Sequence, residues 1–130
     1  MTQLRINDAA QLLGVSDDTV RRWAAAGRLP TQRAGGRQVI DGRDLAEFAV
    51  SLAGEPEHDH VGSARNRMRG IVTRVVRDTV MAQVELQAGP YRLVSLMSRE
   101  AADELGLEAG QVAEAVVKAT SVIVDLAERR

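Results

Sequence analysis

The spacing of hydrophobic residues changes from a helical to a strand pattern across one short segment, and this change constrains the fold most. The segment, Ala53–Gly62 (AGEPEHDHVG), contains two glycines, one proline and five charged or histidine residues. It has no apolar periodicity, which is typical of a linker. A chain of 130 residues is long enough for two small domains. We therefore predict an α+β protein with domains at 1–53 and 63–130, joined by a linker at 54–62.

The start of the chain predicts two helices separated by a glycine turn. Asn7 can cap a helix over Asp8–Leu13, and Gly14 permits a tight turn after it. Ser16 can cap a second helix over Asp17–Ala26, whose apolar residues recur at the spacing of a buried helix face.

A hairpin and a third helix are predicted next. Gly35 and Gly36 lie between Arg33 and Arg37, a pattern that favours a hairpin with a flexible basic tip. The third helix follows Asp41, and its predicted apolar face consists of Leu45, Phe48, Ala49 and Leu52. The order helix, turn, helix, hairpin, helix is that of a winged helix-turn-helix.

The second half predicts five strands and one short helix. The predicted strands are Arg69–Val76, Val80–Leu86, Tyr91–Met97, Val112–Lys118 and Val122–Leu126. The helix, Arg99–Leu105, has Ser98 as its N-cap and Gly106 as its stop. Five short strands and one helix in so few residues indicate a small closed β-barrel of the OB type.

The motif INDAAQLLGVSDDTVRRW at Ile6–Trp23 resembles the MerR and excisionase-like DNA-binding families. The resemblance covers Leu4 to about Leu52. It implies that Asp17–Ala26 is a recognition helix in the major groove of double-stranded DNA, with the hairpin as a wing. The implied DNA contacts are Ser16, Asp18, Thr19, Arg21 and Arg22 on the helix and Arg33 and Arg37 on the wing.

The charge of the chain does not by itself indicate a nucleic-acid partner. The net charge is −1, and residues 1–53 carry seven arginines against six carboxylates. DNA affinity must therefore come from a local patch, and the alternative is that the arginines form a solvated face. Because Asp17 and Asp18 oppose binding, we expect DNA binding to require several copies.

Three blocks of the second half resemble the molbindin (Mop or TOBE) family of small oxyanion-binding barrels. They are Ser63–Asn66, the stretch that begins at Ser98, and Lys118–Ser121, within a resemblance from Gly62 to about Asp125. The resemblance implies molybdate or tungstate as the ligand, bound between the subunits of a homo-oligomer, either a dimer or a hexamer. The implied contacts are Ser63, Ala64, Arg65, Asn66, Ser98, Lys118 and Ala119.

These residue types suit a tetrahedral dianion, which needs hydrogen-bond donors and positive charge only. Lys118 is the single lysine beside sixteen arginines, which suggests that a compact ammonium is required at this position. The alternative is a barrel that has lost its ligand, with Lys118 as an ordinary charge at a strand end.

Several other function classes fit the sequence poorly. No nucleophile–base pair or phosphate loop is present, so we do not expect an enzyme. His58 and His60 lack further ligands, so we expect no site for a bare metal cation. Single-strand nucleic-acid binding needs stacking aromatics, and the second half has only Tyr91. We expect a cytoplasmic protein, because Met1–Ile6 lacks a signal-peptide core and no apolar run approaches the roughly 20 residues of a membrane span.

The sequence thus predicts a molybdate-responsive transcription regulator, with an oxyanion-sensing barrel and a DNA-binding helix-turn-helix. Two alternatives remain open. One is a molybdate storage or homeostasis protein with a tethering helix-turn-helix. The other is an excisionase-like architectural DNA-binding factor with a vestigial barrel.

Overall fold

The chain divides at residues 59 and 60 into two units, and its computed structural model describes residues 2–53 and 62–127. It is an α+β protein, as predicted. Residues 54–61, which hold most of the predicted linker together with His58 and His60, lie outside the described residues. Within the described ranges, no helix is both long enough and apolar enough to cross a membrane.

The N-terminal unit combines three helices with a small antiparallel sheet. Its elements are β1 (Gln3–Arg5), α1 (Ile6–Leu13), α2 (Asp17–Ala25), β2 (Gln32–Ala34), β3 (Arg37–Asp41) and α3 (Gly42–Ala53). The strand order is β1-β3-β2, so the central strand pairs with both neighbours. Strand β1 was not predicted, because three residues are too few for an alternating pattern to be recognised.

The start of α1 differs from the prediction. Asn7 is not the N-cap; it lies inside the helix, which begins at Ile6 with Arg5 as its N-cap. The Asp8 carboxylate accepts a hydrogen bond from the Arg5 amide at 3.3 Å. This bond satisfies the amide that precedes the helix and places its start earlier than Asn7 would.

The start of α2 and the hairpin turn follow the sequence signals. Ser16 is the N-cap of α2, and its hydroxyl accepts a hydrogen bond from the Thr19 amide at 3.2 Å. Gly35 and Gly36 connect β2 to β3 with φ angles of +59° and +77°. Positive φ at both central residues gives a type I′ turn, which side chains with a Cβ rarely tolerate.

The core of the N-terminal unit lies between the helices and the sheet. Trp23 of α2 packs edge-on against Phe48 of α3, with ring centroids 5.1 Å apart. The buried residues are Ile6, Ala9, Ala10, Val20, Leu29, Ile40, Leu45 and Phe48. Leu52 does not complete the predicted apolar face of α3, because its side chain is 40% exposed.

The C-terminal unit is built on one antiparallel sheet. Its elements are β4 (Asn66–Arg77), β5 (Met81–Ala88), β6 (Tyr91–Ser98), α4 (Arg99–Leu105) and β7 (Val112–Val117). The strand order is β6-β5-β4-β7. Helix α4 has the predicted bounds, N-cap and stop, since Ser98 caps it and Gly106 follows its end in a left-handed conformation.

The predicted fifth strand, Val122–Leu126, is wrong. A 3-10 turn at Ala119–Ser121 ends the sheet region, and residues 122–127 pair with no strand in the described parts of the chain. The Ser121 amide donates to the Lys118 carbonyl oxygen at 2.9 Å, which closes this turn. Valine and isoleucine favour strands only where a neighbouring strand supplies a hydrogen-bonding partner. The described sheet is therefore open and four-stranded.

Strand β4 holds the C-terminal unit together by pairing with different neighbours along its length. Residues 66–71 pair with β7, and residues 71–77 pair with β5. A register shift between Val72 and Arg74 marks a bulge at this crossover. The buried Val72, Val84 and Leu86 form the core beneath it. Arg77 connects the end of β4 to α4 and its loop, donating to the Asp103 carboxylate at 2.9 Å and the Leu107 carbonyl at 2.8 Å.

Gly70 lies where β4 passes close to the backbone at the end of β5. A Cβ at this position would lie 2.6 Å from the Gln87 carbonyl oxygen, far inside van der Waals contact. Because the obstacle is backbone, it cannot move aside without shifting the strand. Glycine at this position is therefore required by the approach of two strands.

We expect Gly70→Ala to destabilise the C-terminal unit by about 1–3 kcal/mol through overpacking. Gly62→Ala is the matched control, since a Cβ there meets nothing within 4 Å. Urea unfolding of the full chain measures both. Equal midpoints for the two variants would show that β4 and β5 are farther apart than described.

Candidate functional site

The exposed surface of α2 carries the predicted helix contacts in an ordered local network. The Thr19 hydroxyl lies 2.9 Å from the Ser16 hydroxyl. The Arg22 guanidinium donates to the Thr19 hydroxyl at 3.1 Å. Arg21 forms an ion pair with Asp18 at 3.4 Å, with side chains 57% and 90% exposed. Exposed pairs of this kind contribute little free energy, so Arg21 remains available to an anionic partner.

The hairpin tip presents its two predicted arginines to solvent. Arg33 and Arg37 are both exposed and flank the glycine turn. Arg33 donates weakly to the Gly36 carbonyl oxygen at 3.4 Å. Arg37 and Arg21 line one shared cavity on this unit, so the structure brings the hairpin and α2 together. Arg5 of β1 lines the same cavity, and sequence reasoning missed it because β1 was not predicted.

Two of the three predicted anion-binding blocks lie together in the C-terminal unit. Asn66 pairs with Val117 across β4 and β7, and its side-chain amide donates to the Val117 carbonyl at 3.1 Å. Lys118 and Ala119 follow Val117 directly, so this pairing places them beside the block Ser63–Asn66. Arg65 donates to the Gly62 carbonyl at 2.9 Å, which orders the turn that leads into β4.

Ser98 does not join this group within one chain. It pairs with Met81 at the start of β5, next to the end of β4 that holds Arg77. Asn66 begins β4, a strand of 12 residues, and an extended strand rises about 3.3 Å per residue. Ser98 and Lys118 therefore lie at opposite ends of the strand that connects their regions.

The Ser98 hydroxyl has a structural role at its own end of the sheet. It accepts a hydrogen bond from the Ala101 amide at 3.1 Å and so caps α4. A hydroxyl that accepts one hydrogen bond keeps its own proton available for donation. Ser98 can therefore cap the helix and still donate to an anion.

Two carboxylates of the C-terminal unit are held in their charged form. Hydrogen bonds from the Met81 and Val80 amides, with the nearby Arg99 charge, lower the pKa of Asp78. A hydrogen bond from Arg92 lowers the pKa of Glu85. Within residues 2–53 and 62–127, no cluster of three or more histidine or acidic residues could hold a metal cation.

We expect Ser98→Ala to lower the unfolding free energy of the C-terminal unit by about 1 kcal/mol through loss of the cap. Ser98→Asp should retain most of the stability, because aspartate also caps helices well. Chemical denaturation without any added anion measures both. Wild-type stability in Ser98→Ala would contradict the capping role.

Comparison with known proteins matches one family model to a part of each half. The family model described as "TOBE domain" matches residues 62–124, and the one described as "Helix-turn-helix domain" matches residues 4–50. The two domain types predicted from the sequence are thus confirmed at this level. The MerR-like subtype of the first domain stays a prediction.

The similar curated proteins match the C-terminal half. Molybdenum-pterin-binding protein 2 of Clostridium pasteurianum is 38% identical over 63 residues, which are 48% of this chain and 93% of that protein. A probable molybdenum-pterin-binding protein of Haemophilus influenzae is 41% identical over 63 residues, or 48% of this chain and 91% of that protein. A solved structure of a molybdate binding protein from Sporomusa ovata is 30% identical, with a TM-score of 0.50, and covers 52% of this chain and all of that one.

Proposed function

Since the chain belongs to the TOBE-domain family through residues 62–124, we propose that it is a molybdate-responsive, DNA-binding transcription regulator. The observation that carries this proposal is the presence of a helix-turn-helix domain at residues 4–50 of the same chain. One half binds the oxyanion, the other binds double-stranded DNA, and the protein acts in the cytoplasm without catalysing a reaction. Tungstate, with the same charge and shape, is an alternative ligand.

The chemistry of the C-terminal donors supports molybdate as the ligand. The Arg65 and Lys118 side chains are exposed, and no carboxylate within the described residues forms an ion pair with either. The backbone of Ser63 and Ala64 adds neutral donors close by. Two cations that form no ion pair within the described ranges, next to neutral donors, suit a dianion that carries no proton at neutral pH. The molybdenum-binding names of the relatives support the same ligand.

The separation of Ser98 from Lys118 supports a site shared between copies. A second chain can bring its Ser98 end to the Lys118 end of the first, which a single chain cannot do alone. The open sheet also leaves an apolar cavity of about 430 Å³ over Val72, Val84 and Leu86. Residues of the C-terminal tail are largely exposed, with Ile123 at 86% and Leu126 at 97%. Contiguous apolar exposure of this kind favours association, so the proposal includes a dimer or hexamer in which the barrel is closed.

The proposed mechanism links the oxyanion to the spacing of the DNA-binding units. Molybdate that bridges copies through Arg65 and Lys118 favours the assembly in which these groups converge. A ligand shifts only an equilibrium between states that it binds with different affinity. Dimeric helix-turn-helix proteins read half-sites about one helical turn apart, so a fixed spacing favours DNA binding. In this proposal the hairpin β2–β3 acts as the wing of a MerR-like domain.

A storage or homeostasis role is the second candidate, and the short length of the similar proteins favours it. The matched 63 residues make up 93% of the first relative, so that protein consists of little beyond the TOBE region. In this alternative the helix-turn-helix domain only assembles or tethers the chain.

A titration of molybdate against DNA affinity tests the regulator. Duplex sites selected from a random library serve as probes, and we expect saturating molybdate to change their affinity about 5–150-fold, the usual range of coupling between sites. Sulfate at the same concentration is the control anion. Specific DNA binding that is indifferent to molybdate would exclude the regulator and leave an architectural factor. Molybdate uptake without specific DNA binding would indicate storage.

Lys118→Ala should abolish molybdate binding, because it removes the compact cation beside Arg65. Lys118→Arg keeps the charge but not the shape, so we expect it to weaken binding without abolishing it. Arg74→Ala, which removes a charge from the middle of β4, is the control and should bind like the wild type. Calorimetric titration measures all three. Unchanged affinity in Lys118→Ala would show that the site assignment is wrong.

A further inference from the structure

A surface cavity of about 420 Å³ on the N-terminal unit collects positive charge from three separate elements. Its polar lining residues are Arg5, Asn7, Asp17, Arg21, Arg37 and Gln38. Arg5 comes from β1, Arg21 from α2 and Arg37 from β3. Three arginines and one aspartate leave this lining with a net charge of +2.

Sheet register explains why Arg5 and Arg37 converge. Arg5 pairs directly with Val39 across β1 and β3. Side chains two residues apart on one strand share a face, so Arg37 is the diagonal neighbour of Arg5. Diagonal neighbours in an antiparallel pair lie about 7–8 Å apart, within reach of two long side chains that grip one ligand.

The three arginines are weakly engaged within the protein. In the described part of the chain, the guanidinium groups of Arg5 and Arg37 form no ion pair. Among residues 2–53 and 62–127, Arg21 pairs with Asp18 alone, and that pair is exposed. Asp17 lines the same cavity and offsets one charge without forming an ion pair with these arginines. Cations brought together at the surface with so few internal partners repel one another unless an anion joins them.

We infer that this cavity holds a backbone phosphate of the bound DNA, with Arg5 as a contact that joins Arg21 and Arg37. The inference rests on the proposed DNA-binding function and adds to it a specific phosphate-binding site, called here the phosphate seat. Guanidinium groups match the oxygens of a phosphate, and the Asn7 and Gln38 amides can add neutral donors. A phosphate bound by the arginines of β1, α2 and β3 fixes how deeply α2 enters the major groove. Such a contact positions the protein without reading bases.

Salt dependence of DNA binding tests this seat directly. Each phosphate contact contributes about 0.9 to the slope of log affinity against log salt concentration on duplex DNA. With a mixed-sequence duplex as the probe, Arg5→Gln should lower the slope by about 1 and the affinity about tenfold. Arg43→Gln is the matched control, because Arg43 is an exposed arginine of the same unit that lies outside this cavity. It should leave both quantities unchanged.

The inference also predicts a substitution that raises the DNA affinity. Asp17→Asn removes the one negative charge of the cavity, so we expect it to tighten binding to the same duplex. In a double-mutant cycle, Arg5→Gln and Arg37→Gln should show non-additive affinity losses, since both side chains grip one phosphate. The cycle also remains informative through Arg5→Lys and Arg37→Lys if the glutamine variants fold poorly.

The outcomes separate the seat from the function on which it rests. A wild-type slope in Arg5→Gln, or strictly additive losses in the cycle, would overturn the phosphate seat while DNA binding stands. A wild-type protein that binds no duplex at low salt would instead overturn the proposed function.

Discussion

The pairing of β4 with two different neighbours is the constraint on which the C-terminal unit depends. Its first half pairs with β7 and its second half with β5. The pairing with β7 therefore places Asn66 beside Val117 and Lys118. The pairing with β5, which in turn pairs with β6, places Ser98 at the opposite end of β4. The bulge and the close approach at Gly70 occur where these two pairings meet. A strand that separates the donors in this way makes a second copy the simplest means of completing the proposed site.

A comparable constraint organises the N-terminal unit. The contact of Trp23 with Phe48 holds α2 against α3. The guanidinium carbon of Arg28 lies 5.9 Å from the centroid of the Trp23 ring and 5.8 Å from that of the Phe48 ring. With its apolar face fixed in this way, α2 must present Arg21 and Arg22 outward. Pairing of β1 with β3 then brings Arg5 toward the same surface. The chain has a net charge of −1. A local positive patch still forms, because packing and strand pairing bring several arginines to the same surface.

Sequence reasoning succeeded for most local signals, with the cap predicted at Asn7 as an exception, and failed where the signal was not local. Caps at Ser16 and Ser98 and the turn at Gly35 and Gly36 depend on neighbouring residues, so the sequence predicts them. The strand prediction at Val122–Leu126 failed because β propensity does not reveal whether a pairing partner is available. Likewise, the motif blocks identified a donor set, but only strand register shows that Ser98 lies apart from Lys118. The cavity at Arg5 depends on a strand too short to be recognised.

Native mass spectrometry of the full chain with molybdate tests most directly whether the oxyanion site is completed by a second copy. The proposed arrangement predicts that molybdate is retained only by species of two or more chains and that adding it shifts the population toward them. A single chain that retains one molybdate ion, with no change in the distribution of assemblies, would contradict it. That result would mean that the Lys118 end of the sheet binds the ion without Ser98.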